Sequence, residues 1–352
     1  MRIAQIAPLF ETVPPARYGG TERVVSWLTE ALVELGHDVT LFASGDSHTS
    51  ARLVPVIPRA RRFEPNFEAN TAPYVRMIEL VARQAQDFDV LHFHIDFHPF
   101  PVFSRLGVPF VTTLHGRMDR DFVRETYGLF PEAPLVSISD NQRRPVADFN
   151  WAGTVHHGMP PDLLRPVAGT SDYLAFLGRV SPEKGIEAAI RIAAAAGMTL
   201  KIAAKIGAED QEYYDQVMVP LLAAGHIEFI GEIDDRQKPA FLGGAAALLF
   251  PIQWPEPFGL VMIEAMACGC PVIATPFGSV PEVIEDGLTG FVVEDEAQAL
   301  AAIGRLDALD RDRIRTRFEQ RWSASRMAGD YVRIYERLIG PGQPRLRERV
   351  SA

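Results

Sequence analysis

The chain has 352 residues, 47% of them hydrophobic and 23% charged, with a formal net charge of −10. That length exceeds one ordinary core and calls for two domains. The acidic balance excludes a nucleic-acid binder, which needs a basic face, and gives no broad attraction to anionic lipid. No run of about 18 apolar residues occurs, and the opening Met1-Arg2-Ile3-Ala4-Gln5-Ile6-Ala7-Pro8 is too short in its apolar part for a signal peptide. A soluble, cytoplasmic chain is therefore expected, with transient contact at the inner membrane face allowed. Cys268 and Cys270 are the only cysteines. They are too close for an unstrained disulfide and too few for zinc, so they read as reduced core thiols. Arg59, Arg61 and Arg62, and again Arg345, Arg347 and Arg349, form local basic clusters that read as a solvated loop and tail.

From the first residue, short apolar runs alternate with helical patterns, the βαβ signature of a parallel sheet covered by helices. Strands are expected near 2–7, 38–43, 90–93, 110–114 and 134–138. Between the first two, Val24, Val25, Leu28, Ala31, Leu32 and Leu35 recur at helical spacing, and Gly36 ends the run. A second series begins near residue 173, with strands expected at 173–177, 199–203, 227–230, 246–250 and 272–274. Between the series, Pro160, Pro161 and Pro166 cannot continue a sheet or a helix and mark a linker at 160–171. The expected domains are 1–165 and 166–321, with a tail, 322–352, whose Trp322, Met327, Tyr331, Ile334, Tyr335 and Leu338 have helical spacing. Two doubly wound domains of this kind would present their strand-to-helix loops to a shared cleft.

The loops carry the chemistry. Gly19-Gly20 before the first helix allows close backbone approach to an anion or a sugar, but some ten residues separate it from the strand, so it is not a dinucleotide fingerprint. Thr112-Thr113-Leu114-His115-Gly116 sets a histidine at a strand's carboxyl end, where neutral imidazole can hydrogen-bond a sugar hydroxyl. His92, His94, Asp96 and His98 alternate as though one strand face could hold zinc or iron, but no second cluster completes such a site. Gly178-Arg179 and Lys184-Gly185 leave the first strand of the second domain. They supply a guanidinium fork and a point charge suited to a diphosphate, and Lys184 is one of only four lysines. Lys205 could support the same phosphates. The turn Thr275-Pro276-Phe277-Gly278-Ser279 reads as architectural, with Pro281 opening a helix.

The most informative stretch is Glu256-Pro257-Phe258-Gly259-Leu260-Val261-Met262-Ile263-Glu264. A short apolar helix is expected from Leu260 to residue 267, opened by Pro257 and Gly259 and stopped by Cys268-Gly269. Its first-turn N–H groups and dipole favour an anion, while Glu264 inside the helix can accept hydrogen bonds from ribose hydroxyls.

Together these residues resemble the GT4 family of retaining glycosyltransferases, whose GT-B fold pairs two Rossmann-like domains across a cleft. The resemblance rests on Gly19-Gly20, His115-Gly116, His157-Gly158, Gly178-Arg179, Lys184-Gly185, the Glu256/Glu264 pair and Gly287-Leu288-Thr289-Gly290-Phe291. It implies a nucleotide-diphosphate sugar donor held by the second domain and a last helix crossing back to the first. Arg179 and Lys184 would take the diphosphate and Glu264 the ribose. Glu256, with the backbone of Phe258, Gly259 and Leu260, would meet the transferred sugar and phosphates, and His115 and Gly20 would reach them from the first domain. No bound metal or other cofactor is expected, and the leaving phosphate would take the acceptor's proton in a front-face displacement. One departure is Ala203-Ala204-Lys205-Ile206-Gly207, where the family has a glycine-rich loop. A hexose from a UDP- or GDP-sugar and a sugar, lipid-linked or small-molecule acceptor are expected. Base, acceptor, linkage and oligomeric state have no decodable motif. The rival readings are a nucleotide-sugar epimerase or hydrolase, a non-catalytic nucleotide-sugar binder, and a nicotinamide-dependent dehydrogenase, the last disfavoured by the missing fingerprint.

Overall fold

Two parallel sheets organise the protein in the computed structural model, which describes all residues except 17, 18, 63, 65–69, 168, 170 and 341–352. Arg345, Arg347 and Arg349, and parts of the Leu9 loop and of the linker, lie outside the described residues. The chain divides into two compact units, Met1–Gly158 with Ala324–Ala352, and Met159–Ser323. The divisions therefore fall at 158/159 and 323/324, against 165/166 and 321/322 from the sequence.

In the first unit, β1 (Arg2–Ile6), β2 (Asp38–Ser44), β3 (Arg52–Ile57), β4 (Val90–Phe93), β5 (Phe110–Thr113), β6 (Leu135–Ser137) and β7 (Trp151–Thr154) lie in the order β3-β2-β1-β4-β5-β6-β7. In the second, β8 (Tyr173–Arg179), β9 (Thr199–Lys205), β10 (Ile227–Phe229), β11 (Ala247–Phe250), β12 (Val272–Ala274) and β13 (Gly290–Val292) lie in the order β10-β9-β8-β11-β12-β13. Both repeat the Rossmann order, and each reverses direction at one point, between β1 and β4 and between β8 and β11. Loops leaving those four strands are where such a sheet binds a ligand.

Central strands are buried on both faces and read as apolar runs. The strands that the apolar pattern missed, β3, β7 and β13, all lie at sheet edges. β3 carries Pro55, which an edge tolerates because no ladder donor is required there, and all four residues of β7 are only partly buried.

The first helix, Gly20–Glu34, buries Val24, Val25, Leu28, Ala31 and Leu32 on one face, each such Leu or Val contributing about 1.5–3 kcal/mol. Gly36 follows it at φ 83°, a left-handed conformation. The last helix, Ala324–Ile339, belongs to the first unit and buries Met327, Tyr331, Ile334 and Tyr335 there. Trp322, which the spacing placed on this helix, instead precedes it inside the second unit, packed edge-on against Phe258 at 5.9 Å. Its backbone carbonyl accepts the Met159 N–H at 2.9 Å. Cys268 and Cys270 are free buried thiols, both pushed up to about 12 by burial.

Candidate active site

Beyond β8 the chain passes Arg179 and enters a short turn, Pro182–Lys184, that delivers Lys184. Beyond β11 it passes Trp254 and Glu256 before the helix Leu260–Ala267. The two loops are stitched together by Gln253 N–H donating to Glu183 O at 2.9 Å. Lys184 Nζ donates to Glu256 Oε2 and lies 4.6 Å from the centre of the Trp254 ring, which faces it as a cation–π partner. Trp254 carried no signal in the sequence beyond lying two residues before Glu256.

The turn after β12 is the base on which this loop rests. Ser279 N–H donates to Glu256 O at 3.0 Å, and Ser279 Oγ donates to Phe258 O at 2.6 Å. Gly278 sits at φ 60°, so near the Glu256 backbone that a Cβ would lie 2.2 Å from its carbonyl oxygen. Only glycine satisfies both constraints. Gly259, at φ 77°, caps the helix start, and a Cβ there would meet Met262 Cε at 2.9 Å. Phe258 is buried and anchors the loop, while Leu260 begins the helix half-buried. First-turn amides of such a helix lack helical acceptors and point along its positive end.

Glu264, inside the helix, is buried, and its Oε1 accepts Lys238 Nζ–H at 2.7 Å; Lys238 also lies 3.0 Å from Asp235. The partner is thus a lysine. Neither Lys238 nor Asp235 stood out in the sequence, although Lys238 is another of the four lysines. A carboxylate has capacity for further donors, so this pairing leaves room for ribose hydroxyls. Arg179 is more heavily engaged: it donates to Glu183 at 2.7 Å and to Glu209 at 2.8 Å and lies 3.3 Å from Asp210. Burial raises the Asp210 carboxyl despite Arg179. At Glu183 burial also acts upward, but hydrogen bonds from its own amide, Arg179 and Ser181 leave it below its usual value. Glu209 and Asp210 stand in the loop where the family's glycine-rich segment was missing.

In the first unit, Gly19 precedes and Gly20 opens the first helix, whose buried Glu22 accepts the Glu11 N–H at 3.3 Å. Arg62 pairs with Glu11 at 2.8 Å and Arg61 with Glu64 at 2.6 Å, and Arg61 is buried, so these two arginines are charge-matched rather than solvated. His115 follows β5 and is half-buried, with its imidazole lowered to about 3 by burial and therefore neutral. Gln142 holds the loop: its Nε2 donates to Leu114 O at 2.8 Å and to Gly116 O at 2.7 Å. His157 stacks on His115 at 5.3 Å.

The run 92–98 does not present one face. β4 ends at Phe93; His92 and His94 enter a buried hydrogen-bond network, Asp96 adopts φ 52°, and His98 Nδ1 bonds to Ile95 O at 2.7 Å. No group of three or more His, Cys, Asp or Glu arranged to hold a metal occurs among the described residues. No helix among them is long and apolar enough to cross a membrane. Arg179, Lys184, Glu256, Phe258, Gly259, Leu260 and Glu264 gather in the second unit, whereas His115, Gly19 and Gly20 belong to the first.

Comparison with known proteins gives this arrangement a context. Residues 165–323 match the family described as "Glycosyl transferases group 1", and residues 18–151 match "Glycosyltransferase Family 4". A phosphatidyl-myo-inositol mannosyltransferase of Mycolicibacterium smegmatis is 27% identical over 97% of this chain and 95% of its own. AviGT4, a glycosyltransferase involved in avilamycin A biosynthesis, superposes with a TM-score of 0.72 at 25% identity, covering 97% of this chain and 98% of its own. Anabaena HepE, solved in complex with UDP-glucose, shares the fold at a TM-score of 0.71 and 16% identity, covering 95% of this chain and 98% of its own. With two Rossmann-ordered sheets, a returning last helix and both halves matched, the chain belongs to the GT4 glycosyltransferases of the GT-B fold.

Proposed function

We propose that this glycosyltransferase moves a hexose-type sugar from a nucleotide-diphosphate sugar, UDP- or GDP-linked, to a hydroxyl acceptor with retention of anomeric configuration and without a bound metal. The observation that carries the reading is one short helix with the Lys184–Glu256 pair ahead of its N-terminus and Glu264, paired with Lys238, inside it. Charge growing on the departing diphosphate would be neutralised by Lys184, by Arg179 as it exchanges a carboxylate for phosphate, and by first-turn amides of the helix Leu260–Ala267. Glu264 would accept from ribose hydroxyls while Lys238 keeps its charge matched. Glu256, freed from Lys184 by the diphosphate, would meet the transferred sugar together with the backbone of Phe258, Gly259 and Leu260. His115 and Gly20 would contact the donor from the first unit. In the reaction the C1–phosphate bond breaks as the acceptor oxygen bonds C1 on the same face, and the acceptor's proton passes to the leaving phosphate oxygen.

The UDP-glucose held by HepE supports a nucleotide-sugar donor, and the phosphatidyl-myo-inositol in the mycolicibacterial relative's name makes a lipid-linked acceptor the first to try. Cytoplasmic placement, with transient contact at the inner membrane face, suits such substrates. A thermal-shift panel of UDP-, GDP- and ADP-sugars identifies the donor, because a specific ligand stabilises in proportion to its binding. With that donor, Lys184→Ala should lower kcat about a hundredfold with little change in KM, product anomers should match the donor, and EDTA should leave the rate unchanged. Wild-type turnover by Lys184→Ala would remove this site assignment.

A further inference from the structure

The buried network behind His115 has a direction. Gln5 is fully buried on β1, between two histidines and a tyrosine. Its Oε1 lies 2.9 Å from His94 Nε2, and its Nε2 lies 3.1 Å from Tyr335 Oη and 3.4 Å from His92 Nδ1. Tyr335 Oη in turn lies 2.7 Å from His92 Nδ1, and His92 Nε2 lies 2.7 Å from Thr113 Oγ1, which meets Tyr331 Oη at 2.9 Å.

An amide oxygen only accepts, so His94 Nε2 must carry the proton given to Gln5, and neutral His94 is left with Nδ1 as an acceptor. His94 Nδ1 lies 2.9 Å from His115 Nε2. His115 Nε2–H therefore donates to it. Burial lowers both rings, so neither carries a second proton near neutral pH. His115 Nδ1 remains a bare acceptor with no hydrogen bond among the described residues. In this orientation the Gln5 NH₂ donates to Tyr335 Oη, which passes its own proton to His92 Nδ1.

We propose that Gln5 and His94 are positioning residues that lock His115 in its Nε2–H tautomer, so that His115 meets the donor sugar as a hydrogen-bond acceptor through Nδ1. The donor half of this statement rests on the assignment of His115 to the donor made above. An acceptor nitrogen reads a sugar hydroxyl by its proton. A phosphate oxygen, which has no proton to give, is refused. The last helix enters the device through Tyr335, so its seating on the first unit supports the polarity of a residue on β5's exit loop.

The test is the nitrogen spectrum of the imidazoles in the full chain, uniformly ¹⁵N-labelled and free of ligand, with the His115 signals identified by their loss in His115→Ala. In wild type His115 should show one species, protonated at Nε2 and bare at Nδ1. Gln5→Met, which removes the acceptor for His94, should populate the Nδ1–H form and lower nucleotide release from UDP-glucose or GDP-mannose about tenfold, the effect of one lost hydrogen bond. His94→Asn, whose side-chain oxygen replaces Nδ1 as the acceptor, should keep both the tautomer and the rate. A wild-type His115 protonated at Nδ1, or an unmoved tautomer in Gln5→Met, overturns the lock. If Gln5→Met does not fold, the wild-type and His94→Asn spectra decide the same point. Wild-type turnover by His115→Ala overturns the donor half alone and leaves the tautomer result standing.

Discussion

The two units solve opposite problems with their polar residues. Around β8 and β11 the second unit keeps its charged side chains in ion pairs: Lys184 with Glu256, Lys238 with Glu264 and Asp235, and Arg179 with three carboxylates. Around β1, β4 and β5 the first unit buries neutral groups, Gln5, His92, His94, Thr113, Tyr331 and Tyr335, whose hydrogen bonds have partners already. Ion pairs at a rim can trade a carboxylate for a phosphate at modest cost, because both partners lose and regain similar interactions. A closed neutral network cannot trade without leaving an unsatisfied atom, so it fixes geometry instead. One half keeps its charges paired, the other holds shape.

Acid should break the comparison most sharply. Burial lowers His92, His94, His115 and His157, so below the ordinary histidine value of 6.5 the unfolded chain binds protons that the folded one refuses. Stability that is fully present above pH 6.5 is then lost as pH falls toward the folded values, by about 1.4 kcal/mol per pH unit for each such histidine. Glu183 and Glu285, with lowered carboxyls, add nothing until pH falls through their ordinary value of 4.5. Hydrogen exchange at pH 7 and pH 5 should therefore show protection lost in β1, β4 and β5 while β8 and β11 keep theirs; equal loss in both units would erase the distinction.

Next in size is Glu264→Ala, which leaves Lys238 buried with Asp235 alone. It should cost about 3 kcal/mol in denaturant unfolding and weaken binding of the donor nucleotide by titration calorimetry. Gly259→Ala forces a left-handed alanine against Met262 and should cost about 1–2 kcal/mol while reducing turnover, as the helix start shifts. Smallest is Glu209→Gln. Glu209 is largely exposed, so stability should hardly move, but Arg179 loses one of its carboxylates and donor affinity should rise two- to threefold, roughly what an exposed pair contributes. Weaker donor binding in that variant would mean that Glu209 orients Arg179 instead of competing for it.

Much of this was legible before the fold was known, and unevenly so. The helix Leu260–Ala267 falls where its glycine opening and Cys268-Gly269 stop place it, and the central strands coincide with their apolar runs. Edge strands β3 and β7 were illegible because a strand with one neighbour need not be apolar on both faces, and β13 because it is only three residues long. Arg179, Lys184, Glu256 and Glu264 stood out through their loops and spacing; Lys184 and Glu256 pair with each other, but the partners of Arg179 and Glu264 did not stand out. Lys238 lies 26 residues from Glu264, and no local pattern links them. Gln5 was hidden more completely, a polar residue inside an apolar strand whose partners are 87, 89 and 330 residues away.

The sequence by itself determined the two-domain α/β plan, the family and the loops that carry Arg179, Lys184, Glu256 and Glu264, because periodicity, glycine placement and motif spacing are local properties of a chain. Only the tertiary structure decided which carboxylate each cation holds, that Trp322 stays with the second unit while Tyr331 and Tyr335 return to the first, and that His94 and Gln5 stand in line behind His115. Those outcomes depend on burial and on partners brought from distant segments. Desolvation makes each such partner obligatory without leaving any trace in neighbouring residues.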